Sequence, residues 1–181
     1  MNANDIERYL SLLGEELQAI GVQEPIQLLL VGGGYMLTQI GNRSLTGDID
    51  ALWLYPEDYS SSELYRLFEG AVGFVASDEH LDAGWLNTHI GDFMRSAGPL
   101  PKMKLWKKFD VVHVYLPPRD FILAYKLLAS RRKDRGDIAA LCTQLRINTR
   151  NKAQKVLDKY IRREVQEIND VPAKLGDIFK K

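Results

Sequence analysis

The chain predicts an α/β (α+β) fold, a small mixed sheet flanked by helices with a helical C-terminal part, and three observations carry that reading. "IQLLLV" (residues 26–31) is short and continuously apolar, as a strand buried on both faces requires. Strand-like and helix-like segments alternate up to Pro117-Pro118, whereas from Asp120 onward the apolar spacing is helical throughout. Charge divides at the same point: residues 1–118 hold 8 Lys and Arg against 16 Asp and Glu, and residues 119–181 hold 16 against 8. The expected organisation is a core over 1–118 and a helical subdomain over 119–181.

The elements follow in order. In "NDIERYLSLLGEELQAIG", Ile6, Leu10, Leu13, Leu17 and Ile20 recur at helical spacing, with Asn4 or Asp5 as cap and Gly21 as stop. After the apolar strand, Gly32, Gly33 and Gly34 turn the chain into a short helix, "YMLTQIG", and "NRSLTG" is a loop. "DIDALWLY" (residues 48–55) reads as the second strand, closed by Pro56. "SSSELYRLFEGAV" reads as a helix, with Ser60, Ser61 or Ser62 as cap and Glu63 in the first turn. Residues 74–108 keep no sustained period; they predict a short strand, a helix around Leu86–Met94 and a loop holding Pro99 and Pro101. "KKFDVVHVYL" reads as one strand, and "DFILAYKLLASRRKD", "DIAALCTQLRI" and "NKAQKVLDKYIRREVQEI" as helices before a short tail after Pro172.

At 181 residues, 45% apolar and 27% charged, the chain has ordinary globular composition and enough length to bury a core. The one cysteine, Cys142, forms no internal disulfide, and no secretory signal or membrane-length apolar run is visible. The expected location is cytoplasmic, with no membrane partner. His80, His89 and His113 lack zinc or triad spacing.

The chemistry concentrates in "VGGGYMLTQIGNRSLTGDID". On a strand, Asp48 and Asp50 share a face. Two carboxylates about 5 Å apart repel by roughly 3 kcal/mol at an effective dielectric near 20. Among Ile49, Leu52, Trp53 and Leu54 such a pair calls for a cation, and oxygen donors suit Mg²⁺ completed by substrate phosphates. A strand turning through glycines into a helix offers backbone N–H groups to phosphate. A phosphate cradle followed by a carboxylate pair is the layout for phosphoryl chemistry on a nucleotide.

This stretch resembles the signature of the DNA polymerase β-like nucleotidyltransferase superfamily, a Gly-Gly turn followed by Asp-x-Asp. "RSLTGDIDAL" is similar to the Arg-x-x-Thr-x-Asp-Ile-Asp form of AbiEii-type nucleotidyltransferases of toxin–antitoxin systems. "AYKLLASRRKDRGDIAAL" resembles their Lys-x-x-Ala helix followed by Asp-x-x-Asp. The superfamily turn carries Ser where this chain has Gly34, which removes a hydroxyl from the phosphate site. The resemblance implies Mg²⁺ on Asp48 and Asp50, and a nucleotide pocket drawing on Gly32, Gly33, Gly34, Arg43, Thr46, Lys126, Asp134 and Asp137. It also implies a third carboxylate from a neighbouring strand, for which Asp110 is the choice. "GWLN", with Trp85 read as core and Asn87, is similar to a motif of close relatives.

Several of these residues admit a plainer role. Asp110 at the exposed start of a strand simply solvates, and Lys126 on an apolar helix snorkels over the core. Asp137 after Gly136 caps a helix, and Arg43 braces a surface loop. The reading taken forward is a metal-dependent transferase moving a nucleoside monophosphate from an NTP to a hydroxyl. The acceptor would be tRNA, other RNA or protein, with RNA meeting the basic half through Lys152, Lys155 and Lys159, and the role toxin-like beside a cognate antitoxin. The alternatives are a small-molecule, aminoglycoside-type nucleotidyltransferase and a non-catalytic relative that binds a protein partner.

Overall fold

The computed structural model of the chain describes residues 1–54 and 62–180. Tyr55, Pro56, Ser60 and Ser61, assigned above to a strand end and a helix cap, lie outside them.

Helix α1 (Ala3–Ala19) starts earlier than its apolar spacing suggests, because Asn2 forms a capping box with Asp5. The Asn2 side chain accepts from the N–H groups of Asn4 and Asp5 at 2.8 and 3.1 Å, and Asp5 accepts from the Asn2 N–H at 2.7 Å. Its stripe of Ile6, Leu10, Leu13 and Leu17 is buried. Strand β1 (Ile26–Leu30) leads into α2 (Gly32–Tyr35), which continues as a π turn over Met36–Ile40 and stops at left-handed Gly41. The three glycines thus form the head of the helix.

Strand β2 (Ile49–Trp53) runs antiparallel to β1, and β3 (Leu86–Asn87) pairs parallel with β2. Between them, α3 (Glu63–Asp78) is capped by Ser62 and runs on past the apolar period to Asp78. Residues 86–87, expected in a helix, are strand; the helix α4 (Ile90–Ala97) begins after them. "KKFDVVHVYL" is corrected from one strand to a hairpin, β4 (Lys104–Phe109) and β5 (Val112–Leu116), with Asp110 left-handed in the turn. Aspartate tolerates that conformation better than most residues.

The sheet order is β3-β2-β1-β5-β4, with β5 parallel to β1 from the pair Ile26 and Val112 onward. Central β1 has four buried residues of five, which explains its uninterrupted apolar run. Edge strand β4 carries Lys104, Lys107 and Lys108 and a register shift, features that keep an open edge from pairing with another chain.

Two compact units divide the chain: residues 1–91 with 103–116, and residues 92–102 with 117–181. The first holds 6 Lys and Arg against 15 Asp and Glu, the second 18 against 9. The first unit contains the sheet, α1 and α3, with Trp53 edge-on to Phe68 at 4.5 Å. The Trp85 indole donates to the Val72 carbonyl at 3.1 Å, fastening β3 to α3.

The second unit is helical: α5 (Arg119–Ala129), α6 (Arg135–Leu145), α7 (Arg150–Tyr160), α8 (Arg163–Ile168) and α9 (Val171–Ile178). α5 is its centre, with Phe121, Ile122, Leu123, Ala124, Leu127 and Leu128 buried around most of the helix. Asp120 accepts from the Tyr160 hydroxyl at 2.9 Å and from Lys159 at 2.7 Å, tying α5 to α7. No helix among the described residues is long and apolar enough to cross a membrane.

Glycine spacing yields a paired prediction. A Cβ at Gly14 would overlap the Phe109 carbonyl, whereas one at Gly73 in α3 meets nothing within 4 Å. Gly73→Ala should stabilise the protein by about 0.5–1 kcal/mol. Gly14→Ala should destabilise it by about 1–3 kcal/mol despite the better helix former. Urea denaturation of both variants checks this; equal gains would show that α1 stands off the β4–β5 hairpin.

Candidate active site

The predicted site residues divide between the two units, with the glycines, Arg43, Thr46, Asp48, Asp50 and Asp110 in the first and Lys126, Asp134 and Asp137 in the second.

In the first unit the focus is the turn from β1 into α2. Gly32 has φ 60°, a conformation that favours glycine. A side chain there would also overlap the Asp50 carboxylate, with its Cβ 2.7 Å from that of Asp50. A Cβ on Gly33 would overlap the Thr46 hydroxyl and lie 3.5 Å from an Arg43 guanidinium nitrogen. The glycines therefore seat protein side chains: Asp50 against Gly32, Thr46 and Arg43 against Gly33. Gly34 is buried, its Cα facing Leu30 and Ile6, so a serine hydroxyl in its place would meet apolar groups.

The loop before β2 is fastened at Thr46. Its backbone pairs with that of Met1 at 2.8 and 2.9 Å, and its hydroxyl donates to the Asp48 carbonyl at 3.1 Å. Asp48 is exposed, Ile49 buried and Asp50 half-buried, the alternation expected where a strand begins. Asn87, opposite Asp50 in the parallel β2–β3 pair, donates its amide N–H to Asp50 Oδ1 at 3.0 Å. A two-residue strand leaves no periodicity, so in the sequence Asn87 is marked by the GWLN resemblance alone.

Asp110 is not brought to this site. It precedes Val112, which pairs with Ile26 at the start of β1, whereas Gly32 and Asp50 lie at the end of β1. Among the described residues, no group of three or more His, Cys, Asp or Glu is placed to hold a metal ion. The carboxylates available are that of Asp50 at the turn, oriented by an amide, and that of exposed Asp48 two residues earlier, just before β2. Such a set fits a hard divalent cation that takes its other ligands from water and phosphate oxygens.

In the second unit Lys126, Asp134 and Asp137 form a buried network. The Lys126 ammonium lies 2.7 Å from Asp134 and 2.8 Å from Asp137, and Arg131 Nε donates to Asp134 at 2.7 Å. Lys126 is 6% exposed, Asp134 0% and Asp137 1%, so Lys126 does not snorkel. An unbroken helix would carry Asp134 and Asp137 about 12 and 16 Å along its axis from Lys126, beyond the reach of a side chain. The chain instead breaks at left-handed Ser130 and passes a 3-10 turn over Arg132–Asp134, which folds both carboxylates back onto the ammonium. Asp137 lies inside the first turn of α6 and is not its cap; Asp134 holds that position and makes no side-chain cap bond. Burial alone would raise the Asp134 carboxyl, but hydrogen bonds from Arg131 and Lys126 outweigh it and hold it below the usual carboxylate range.

The basic helix is also engaged. Lys152 bonds the Arg146 carbonyl and Asn148 at 3.1 and 2.9 Å, and Lys159 pairs with Asp120. A cavity of about 480 Å³ in this unit, lined by Ile138, Cys142, Lys174 and Phe179 among others, contains none of the predicted site residues. Burial pushes the Cys142 thiol up to about 11, which removes thiolate chemistry at neutral pH. Comparison with family models, curated proteins and solved structures gives no match to this chain.

Lys126→Ala should destabilise the protein by about 3–5 kcal/mol, since two buried carboxylates lose their shared cation. A thermal midpoint unchanged in this variant would contradict the network. The pH dependence has a definite sign. Because the folded Asp134 carboxyl lies below its usual value, its stabilisation is present above about pH 4 and is lost as the pH falls through the depressed value. Asp134→Asn should remove that component of acid unfolding, as followed by circular dichroism.

Proposed function

We propose that the chain is a metal-dependent nucleotidyltransferase of the DNA polymerase β-like kind, resembling the AbiEii-type toxins. The observation that carries the reading is the seating of Asp50 against Gly32, with Asp48 two residues earlier, exposed and immediately before β2. That arrangement joins the two halves of the sequence motif in space. In the proposed reaction an acceptor hydroxyl loses its proton to solvent and its oxygen attacks the α-phosphorus of an NTP, forming a new P–O bond. The bond to the β-phosphate oxygen breaks, and pyrophosphate leaves. Asp48 and Asp50 would hold Mg²⁺, which when bound supplies positive charge to the phosphates and the leaving group.

The first-turn N–H groups of α2 would face the phosphate oxygens, and Arg43, lying beside Gly33, would add a cation. The proposal leaves Lys126 within its ion-pair network, because its ammonium is buried and bonded to two carboxylates. Asp110 takes no part. A macromolecular polyanion such as tRNA suits the 18-to-9 excess of basic residues in the helical unit. A cognate antitoxin would be a further partner.

The test incubates the full chain with each α-labelled NTP, Mg²⁺ and total RNA or protein lysate, and asks which acceptor becomes labelled. Transfer should require the metal and be abolished in both Asp48→Asn and Asp50→Asn, with thermal midpoints preserved. Wild-type transfer by the double Asn variant would overturn the assignment.

A further inference from the structure

We propose that Asn87 is a positioning residue for Asp50, and that β3 exists to present it. This rests on the metal reading above and deepens it. β3 has only two residues and lies at the sheet edge, yet the residue before it is anchored to both β2 and α3. The Ile49 N–H donates to the Trp85 carbonyl at 2.7 Å, and the Trp85 side chain, 1% exposed, is fastened through its indole to Val72. A strand too short to contribute much to the sheet is thus fixed with the largest side chain available. What it places is Asn87, in register with Asp50.

The amide is itself oriented. The His89 backbone N–H donates to Asn87 Oδ1 at 3.1 Å, which turns the NH₂ group toward Asp50 Oδ1 at 3.0 Å. Gly32 confines the other side of the same carboxylate, with Oδ2 lying where a Cβ would be. Asp50 is therefore bounded from two directions, by an absent side chain and by a directed hydrogen bond. An amide adds no charge of its own, so it fixes the carboxylate plane without competing for a cation as Lys or Arg would.

The test measures Mn²⁺ affinity of the full chain from the free-ion electron paramagnetic resonance signal, with thermal midpoints alongside. Asn87→Ala should weaken Mn²⁺ binding by about 10–100-fold, with a midpoint shift no larger than that of other surface truncations. Asn87→Asp keeps the acceptor for His89 and sets a second carboxylate against Asp50. Its Mn²⁺ affinity at pH 8 should recover to at least the wild-type value, because the added carboxylate oxygen is a further donor to the ion. If Asp50→Asn loses binding while Asn87→Ala matches wild type within twofold, the positioning role is overturned and the metal reading stands. If wild type binds no better than the Asp48→Asn/Asp50→Asn variant, the metal reading fails and this inference with it.

Discussion

Gly32 has no side chain, and the Asp50 carboxylate occupies the space that one would fill. This close approach of the β1–α2 turn to β2 sets the geometry around it. It goes with the left-handed backbone at Gly32, which glycine adopts without strain, and the missing side chain of Gly33 admits the Thr46 hydroxyl by the same means. β1 and β2 must be immediate antiparallel neighbours, and the Val31 N–H bonding the Asp50 carbonyl at 2.9 Å keeps them in register up to the turn. In a phosphate cradle glycine admits a ligand; here its first service is to admit the protein's own carboxylate.

The two units hold their acidic groups in different ways. Asn87 gives Asp50 a neutral N–H at the sheet edge, where the carboxylate stays half-buried. Buried Lys126 and exposed Arg131 give the fully buried Asp134 charged donors. A buried carboxylate bonded by two cations is stabilised as a structural node, and removing Lys126 leaves buried charge uncompensated. Asp50 is half-buried and takes the oriented amide N–H of Asn87. The first arrangement suits the joint between α5 and α6; the second suits a group that must meet a cation.

Much of the fold was legible in the sequence. The continuous apolar run of β1 announced a central strand, the Ile6–Leu17 stripe a helix, and the loss of strand-like segments after Pro118 a helical C-terminal region. The hairpin at Asp110 was not, since Phe-Asp-Val lacks the Asn-Gly or Asp-Gly pair that marks such turns. The break at Ser130 was hidden for a similar reason: no glycine or proline stands there, and a tertiary demand, the burial of Lys126 with two aspartates, overrides local helix propensity. Asp48 and Asp50 could be singled out because alternation on a strand is a local rule. Asn87 could not, because its partner lies 37 residues away.

The central claim is that Asp48 and Asp50 together hold a divalent cation at the Gly32 turn. The most direct measurement is the anomalous difference map of crystals grown with Mn²⁺ and a non-hydrolysable NTP analogue. One strong peak is expected at coordination distance from carboxylate oxygens of both Asp48 and Asp50, with the analogue's phosphates completing its shell. Ordered analogue with no peak at this pair, or with Mn²⁺ bound only elsewhere on the chain, would contradict it.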